Sequence, residues 1–292
     1  GGIYMSEKEK NAAEYRGVRD EIRQQQLKTR DMTLKGKLKY FWDYYKIHTL
    51  VCILVLIFIV TFVHDIATAK DSVFCAYMFH SSQISSESLS SSFAEYADLD
   101  TENYECLIDT TMNISLRTYT QYDMASSQKL AALVQAGDLD TIMMDSDVFY
   151  NHALSEMFVD LRTIFSEEEL SKYNDFLYYV DRTEVLRADE DSYYVDDTDE
   201  MNNMNVSEDE ALEEIFTEAE SHRHPENMEE PVPVGIYMTD SPFARKTGAY
   251  QQSVPVFGII STSHRTDTGM KYLEFLWDES IDFSQMLESN LY

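Results

Sequence analysis

One apolar block divides the chain. From Leu50 to Val63 the sequence reads LVCILVLIFIVTFV, with Thr61 as its only polar residue and no charge, Gly or Pro. Ile47 extends the run toward the N-terminus, and Ala67 lies one helical turn beyond it. About 17 residues at 1.5 Å each are the least that cross roughly 30 Å of hydrocarbon. A backbone at that depth must satisfy its own hydrogen bonds, so the pattern predicts a transmembrane helix over Ile47–Val63. The competing reading is a core helix of a soluble protein, which would normally carry a polar face.

Downstream the pattern alternates between strand-length apolar runs and helical spacing. Ser72–Phe79, Tyr104–Asp109 and Asp140–Met144 read as strands, Ser86–Ala97 and Met124–Gln135 as helices. Gly137 stands where a helix C-terminal glycine belongs, and Asp145-Ser146-Asp147 reads as the cap of a helix beginning at Val148. Runs without strict alternation, separated by helices, predict βαβ units and a parallel sheet covered on both faces. Beyond Phe158, Ser166-Glu-Glu-Glu-Leu170 reads as a capped helix, and Phe176–Val180 and Ser192–Val195 as a fourth and a short fifth strand. Asp189–Met204 reads as an acidic loop, Ser207-x-x-Glu210 as a capping box for a helix over 208–220, and His222–Glu230 as a linker. Pro233–Met238 and Val254–Ile260 are the remaining strands, and Thr266–Trp277 a terminal helix. Residues 6–32 read as a solvated helix.

Charge orients the apolar block. Residues 1–49 hold eleven Lys/Arg against seven Asp/Glu, a net +4, whereas 50–292 holds twelve against 46, a net −34. Lys35, Lys37, Lys39 and Lys46 flank the N-terminal side, which should therefore be cytoplasmic, with the rest of the chain extracellular. Tyr40, Phe41, Trp42, Tyr44 and Tyr45 would form an aromatic belt at the headgroups. The expected division is a cytoplasmic tail over 1–46, a membrane helix and spacer over 47–69, and an extracytoplasmic domain over 70–292. Ala67-Thr68-Ala69 matches a signal-cleavage pattern, but a 49-residue leader favours an uncleaved anchor. Met5 is expected to be the natural start of a bacterial protein, with Gly1-Gly2-Ile3-Tyr4 read from its ribosome-binding site.

The isoelectric point near 4.4 argues against nucleic acid as a partner. Cys75 and Cys106 could pair, although both lie in apolar strand-like runs that suit buried free thiols. No G-x-S-x-G, P-loop, G-x-G-x-x-G or H-E-x-x-H occurs, so no enzyme and no cofactor is expected. His222-Arg223-His224 with Glu226 and Glu229 reads as solvated chain rather than as a metal site. The remaining candidate chemistry is positional. In an open parallel sheet, ligands bind beyond the carboxyl ends of the strands, here His80-Ser81-Ser82, Thr110-Thr111 and Asp145-Ser146-Asp147. The candidate ligand-binding residues are Tyr119, Gln121, Asp145, Ser146, Tyr237 and Thr239, the aromatics for stacking and the others for orienting hydrogen bonds. Taken singly, each reads more readily as a cap or a turn residue.

A family resemblance covers much of 73–278 through short motifs. Ser126-Ser127-Gln128-Lys129-Leu130 and Leu133-Val134-Gln135-Ala136-Gly137-Asp138-Leu139-Asp140-Thr141-Ile142-Met143-Met144-Asp145 resemble the first lobe of extracellular solute-binding proteins of bacterial ABC importers. Gly235–Ser241, Val256–His264 and Met270–Leu276 resemble that family's return strands and a following helix. The resemblance implies an α/β fold of periplasmic-binding-protein type, and the short length implies a reduced second lobe. It also implies non-catalytic recognition of a small solute, for or alongside a transporter, with a cationic or polyhydroxylated ligand favoured by the acidic composition. The alternative is an accessory subunit whose degenerate domain binds a protein partner. Instead of a lipidated cysteine, this chain carries a membrane helix.

Overall fold

The computed structural model describes residues 23, 33–68, 70–114, 120–191, 208–250 and 253–288. Two units are distinguished, residues 1–69 and residues 70–292. In the first, α1 (Leu34–Thr68) runs unbroken through the apolar block. Lys46–His64 is long and apolar enough to cross a membrane by length and composition, and none of it is buried. The one polar side chain of the block is satisfied internally, because Thr61 Oγ1 donates to the carbonyls of Ile57 (3.0 Å) and Phe58 (2.9 Å).

The second unit alternates strand and helix through its first half. The order is β1 (Ser72–Met78), α2 (Ser86–Tyr96), β2 (Glu105–Asp109), α3 (Gln121–Ala136), β3 (Thr141–Asp145) and α4 (Ser146–Leu154). It continues with α5 (Glu167–Ser171), β4 (Leu177–Asp181), α6 (Arg182–Asp191) and α7 (Glu208–Ser221). Last come β5 (Pro231–Tyr237), α8 (Pro242–Thr247), β6 (Pro255–Ile259) and α9 (Thr266–Leu276). The stop at Gly137 is as expected, with φ 71° and its N–H bonded back to Leu133 and Val134. The same helix starts earlier than Met124, because Thr120 and Asp123 form a capping box that its apolar spacing does not reveal.

All six strands form one sheet in the order β2-β1-β3-β6-β5-β4. The β1–β2 and β1–β3 pairings are parallel, and β3–β6, β6–β5 and β5–β4 are antiparallel. The fold is therefore mixed α/β, which corrects the expectation of a mostly parallel sheet. Apolar runs without alternation report cover on both faces, and β6, buried at every position, has that cover while running antiparallel to both neighbours. Among the described residues no second sheet accompanies this one.

Two cores lie on opposite faces. One face carries Phe74, Ala76, Met78, Ile108, Phe257 and Ile259 under α2, α8 and α9. The other carries Cys75, Tyr77, Ile142, Met144, Val234 and Val256 under α3, α4, α6 and α7. This alternation separates the two cysteines. Phe74 is level with Cys106 in the β1–β2 ladder, so Cys106 shares the face of Phe74 while Cys75 points the other way. Both are free, and desolvation pushes each thiol up to about 12, which keeps them protonated and unreactive at neutral pH.

The stretch read as a linker is folded onto the sheet instead. His222 is buried, its ring stacks on Tyr178 at 4.5 Å, and its Nδ1 lies 2.9 Å from the Tyr179 carbonyl. Asp181 anchors the same region, its carboxylate accepting from the N–H groups of Thr183 (2.9 Å), Glu229 (2.7 Å) and Glu230 (3.2 Å) and from the Thr183 hydroxyl. Desolvation raises its pKa, but these donors outweigh it and hold it at about 2. The folded value is depressed, so the stabilisation is full above the ordinary aspartate pKa and is lost as pH falls toward 2. Urea midpoints measured from pH 5 to pH 2 should fall more steeply for the wild type than for Asp181→Asn. The expected strand over 192–195, the cap at Ser207 and the helix over 6–32 lie outside the described residues, Arg23 excepted.

Candidate ligand-binding site at the strand ends

β1, β2, β3 and β5 all finish at one edge of the sheet, where β6 begins, because Asp145 is level with Pro255 and Tyr237 with Val256. This edge gathers the polar side chains that follow the strands. His80, just past β1, has the left-handed φ of 54°, an uncommon conformation for a residue with a side chain. Its backbone N–H donates to Asn113 Oδ1 at 3.0 Å, and its Nδ1 lies 2.9 Å from Asp145 Oδ2. The hydrogen bond to Asp145 raises the imidazole pKa, burial opposes this, and the charges of Asp145, Asp147 and Asp123 add to the rise. The His80–Asp145 bond is therefore strongest at acidic to neutral pH and weakens as the ring loses its proton.

Asp145 occupies the N-cap position of α4 without capping it through its side chain. Among the described residues its Oδ1 is buried and has no hydrogen-bond partner, and the same holds for the side-chain oxygens of Ser146, Tyr178 and Tyr250. Natively folded chains leave few such groups. Ser146 and Tyr178 are, however, hydrogen-bonding neighbours of each other on the α4 side, and Tyr250 of Ser81, which leaves Asp145 Oδ1 as the oxygen at this edge that requires an explanation. Tyr250, from the opposite core, lies beside Ser81 and within electrostatic range of Asp145. Tyr250 also has a left-handed φ, 65°. A third polar group sits at the ends of β1 and β2, where Lys129 lies 4.9 Å over the ring of Tyr77 and 3.7 Å from Asp109.

The six residues singled out from the sequence do not form one constellation. Asp145 and Ser146 are adjacent at the centre of the edge. Gln121 and Thr239 are exposed beside it, at the start of α3 and just after β5. Tyr237 is buried, with its hydroxyl bonded to the Ala219 carbonyl and Arg223 stacked 3.8 Å over its ring, so it serves the core rather than a ligand. Tyr119 lies outside the described residues. His80, Ser81 and Tyr250 complete the polar corner. The first two were legible as a strand end, but Tyr250 is in the turn after α8 and carried no signal in the sequence. No family model, curated protein or solved structure matches this chain. The geometry alone bears on function.

Elsewhere, an open groove of about 670 Å³ runs along α2, lined by Glu87, Ser91, Glu95, Tyr96, Phe275 and Asp282 among others. It lies apart from the six candidates. Among the described residues no three His, Cys, Asp or Glu side chains are placed to hold a metal ion.

Proposed function

We propose that this chain is a membrane-tethered, non-catalytic recognition protein whose extracytoplasmic α/β domain holds a small solute at the corner of His80, Asp145 and Tyr250. The observation that carries the reading is Asp145 Oδ1, a buried carboxylate oxygen without a partner at the strand-end edge beside the part-exposed His80, which a ligand's polar group would satisfy. The tether reading is supported by the length, composition and full exposure of Lys46–His64, and its orientation by the basic residues on the N-terminal side. The domain is of periplasmic-binding-protein type reduced to a single lobe. The run from α3 through Gly137 and β3 into α4 supports this, as does the short connection from β5 to β6, which spans 238–254 and carries α8 as its one element among the described residues. Without a second lobe to close, binding is open and shallow, which suits a stationary domain passing its solute to a membrane neighbour such as a transporter subunit.

The single sheet also favours a second reading, an accessory subunit that recognises a protein partner. Thermal denaturation of the full chain in detergent, screened against sugars, peptides, polyamines and metal salts, separates the two. Stabilisation by one solute class supports the solute reading. A flat response across all classes, with a specific membrane protein recovered by crosslinking in cells, replaces it with the second.

A further inference from the structure

The groove along α2 has a construction of its own. One wall is the outer face of α2, with Glu87, Ser91 and Glu95, and the other is the chain that follows α9, with Ile281 and Asp282. Its floor is apolar. Phe275 and Met286 are buried beneath it, and the Tyr96 ring stands 40% exposed, edge-on to Phe275 at 5.2 Å. The charge around it is of one sign. α2, α9 and residues 277–288 together carry eight Asp and Glu against one basic residue, Lys271, and none of the residues that line the groove is basic. Lys246 and Arg245 approach from α8, but Glu279 takes up both, and Lys246 also donates to the Ile281 carbonyl at 2.9 Å. The Glu87 and Glu95 carboxylates have no ion-pair partner among the described residues. Asp282 keeps its charge, because the Ser284 hydroxyl and the Gln285 amide donate to its carboxylate and lower its pKa. An anion, a nucleic acid or a second copy of this acidic domain would be repelled here. A lone small cation would leave the apolar floor exposed to water.

We infer that this groove is a docking site for an extended basic segment of a protein partner, in which two cationic side chains flank an apolar one. Glu87 and Glu95 are eight positions apart on α2, about 12 Å at 1.5 Å per residue. An extended chain presents the same side every second residue, so side chains four apart stand about 13 Å apart on one side. The segment therefore has the form basic-x-apolar-x-basic. Its ends pair with Glu87 and Glu95, its middle side chain covers Phe275 and Met286, and Asp282 faces it from the other wall. The site is independent of the strand-end corner, so the failure of either reading leaves the other standing.

Isothermal titration of the full chain in detergent micelles tests this, with the end-capped peptide Lys-Ser-Leu-Ser-Lys as probe and Lys-Lys-Leu-Ser-Ser, of the same composition, as its control. The first should bind, and the second should bind at least about threefold more weakly because its charges no longer match the spacing. Glu87→Gln with Glu95→Gln should weaken the first peptide by roughly threefold to tenfold, the usual yield of two exposed ion pairs. Ser91→Trp should weaken it by about tenfold or more by filling the groove. It should leave the melting temperature unchanged, because Ser91 is exposed and bonds only to its own helix. Glu229→Gln with Glu230→Gln removes two exposed charges beside β4, at the far edge of the sheet, and should leave binding as it is. No binding of the first peptide, or equal affinity in wild type and Ser91→Trp, would overturn the inference. So would an equal loss in the Glu229/Glu230 variant, which would assign binding to the acidic surface at large. Spermidine binding as tightly as the peptide and lost in the same variants would replace the protein segment with a free polyamine.

Discussion

Replacing Arg265 with Ala should cost about 3–5 kcal/mol of stability, the usual result of removing one partner from a buried ion pair. Asp140 is fully buried at the end of the sheet opposite the strand-end corner. Its Oδ2 accepts from the Cys75 N–H at 2.8 Å, its Oδ1 from the Ser263 hydroxyl at 2.6 Å, and Arg265 Nε sits 2.9 Å from both oxygens. The same guanidinium donates to the carbonyls of Ser72 at 3.1 Å and Asp138 at 3.0 Å. One side chain thus joins the starts of β1 and β3 to the loop that leads into α9. Without it the carboxylate stays buried with two donors and no counter-ion. For a domain of this size the loss corresponds to a fall in Tm of roughly 10 °C. Arg265→Lys should recover only part of it, since an ammonium cannot span the carboxylate and two carbonyls as the planar fork does. Urea denaturation of the full chain measures all three, and a loss below about 1 kcal/mol in Arg265→Ala would show that the network is not structural.

Phe93→Ala should be of similar size, about 3–5 kcal/mol, through lost burial and the cavity left behind. Phe93 is fully buried on α2, with its ring centroid 4.8 Å from Phe74 on β1, 4.8 Å from Tyr272 and 5.6 Å from Phe275 on α9. It is a ring through which α2, α9 and β1 meet. Phe93→Leu should cost less, because it keeps most of the volume, and the difference between the two variants reports the cavity. The same denaturation measurement checks it, and a cost for Phe93→Ala under about 1.5 kcal/mol would mean that α2 settles onto the sheet without this contact.

Much of the architecture was legible because local and tertiary demands agree. Gly137 ends α3 where its left-handed turn is needed, β1 and β3 are continuous apolar runs, and the block from Leu50 to Val63 tolerates no other reading than helix. Strand direction was not legible, since β6 and β3 carry the same kind of apolar run and differ only in which end enters the sheet. α8 was passed over although it has its own punctuation, with Ser241 as N-cap, Pro242 in its first turn and Gly248 at its end. Six residues were too few for a periodic signal. At the corner, Asp145 and Ser146 could be placed by rule because they follow a strand. Tyr237 is the last residue of β5, and alternation turns it into the core; a strand-end rule cannot see which face a residue takes. Tyr250 could be found only once the fold had brought the turn after α8 beside Ser81.

A solute-holding corner fed from outside requires the α/β domain to lie beyond the membrane. Single-cysteine labelling in intact cells tests that directly, in a Cys106→Ser background, with Cys75 buried and Cys52 inside the apolar block. Thr239 and Lys35 are both exposed, one beside the proposed corner and one on the basic flank. A membrane-impermeant maleimide should label Thr239→Cys in intact cells and Lys35→Cys only after permeabilisation. Labelling of Lys35→Cys in intact cells, with Thr239→Cys protected until lysis, would place the α/β domain in the cytoplasm and contradict the account.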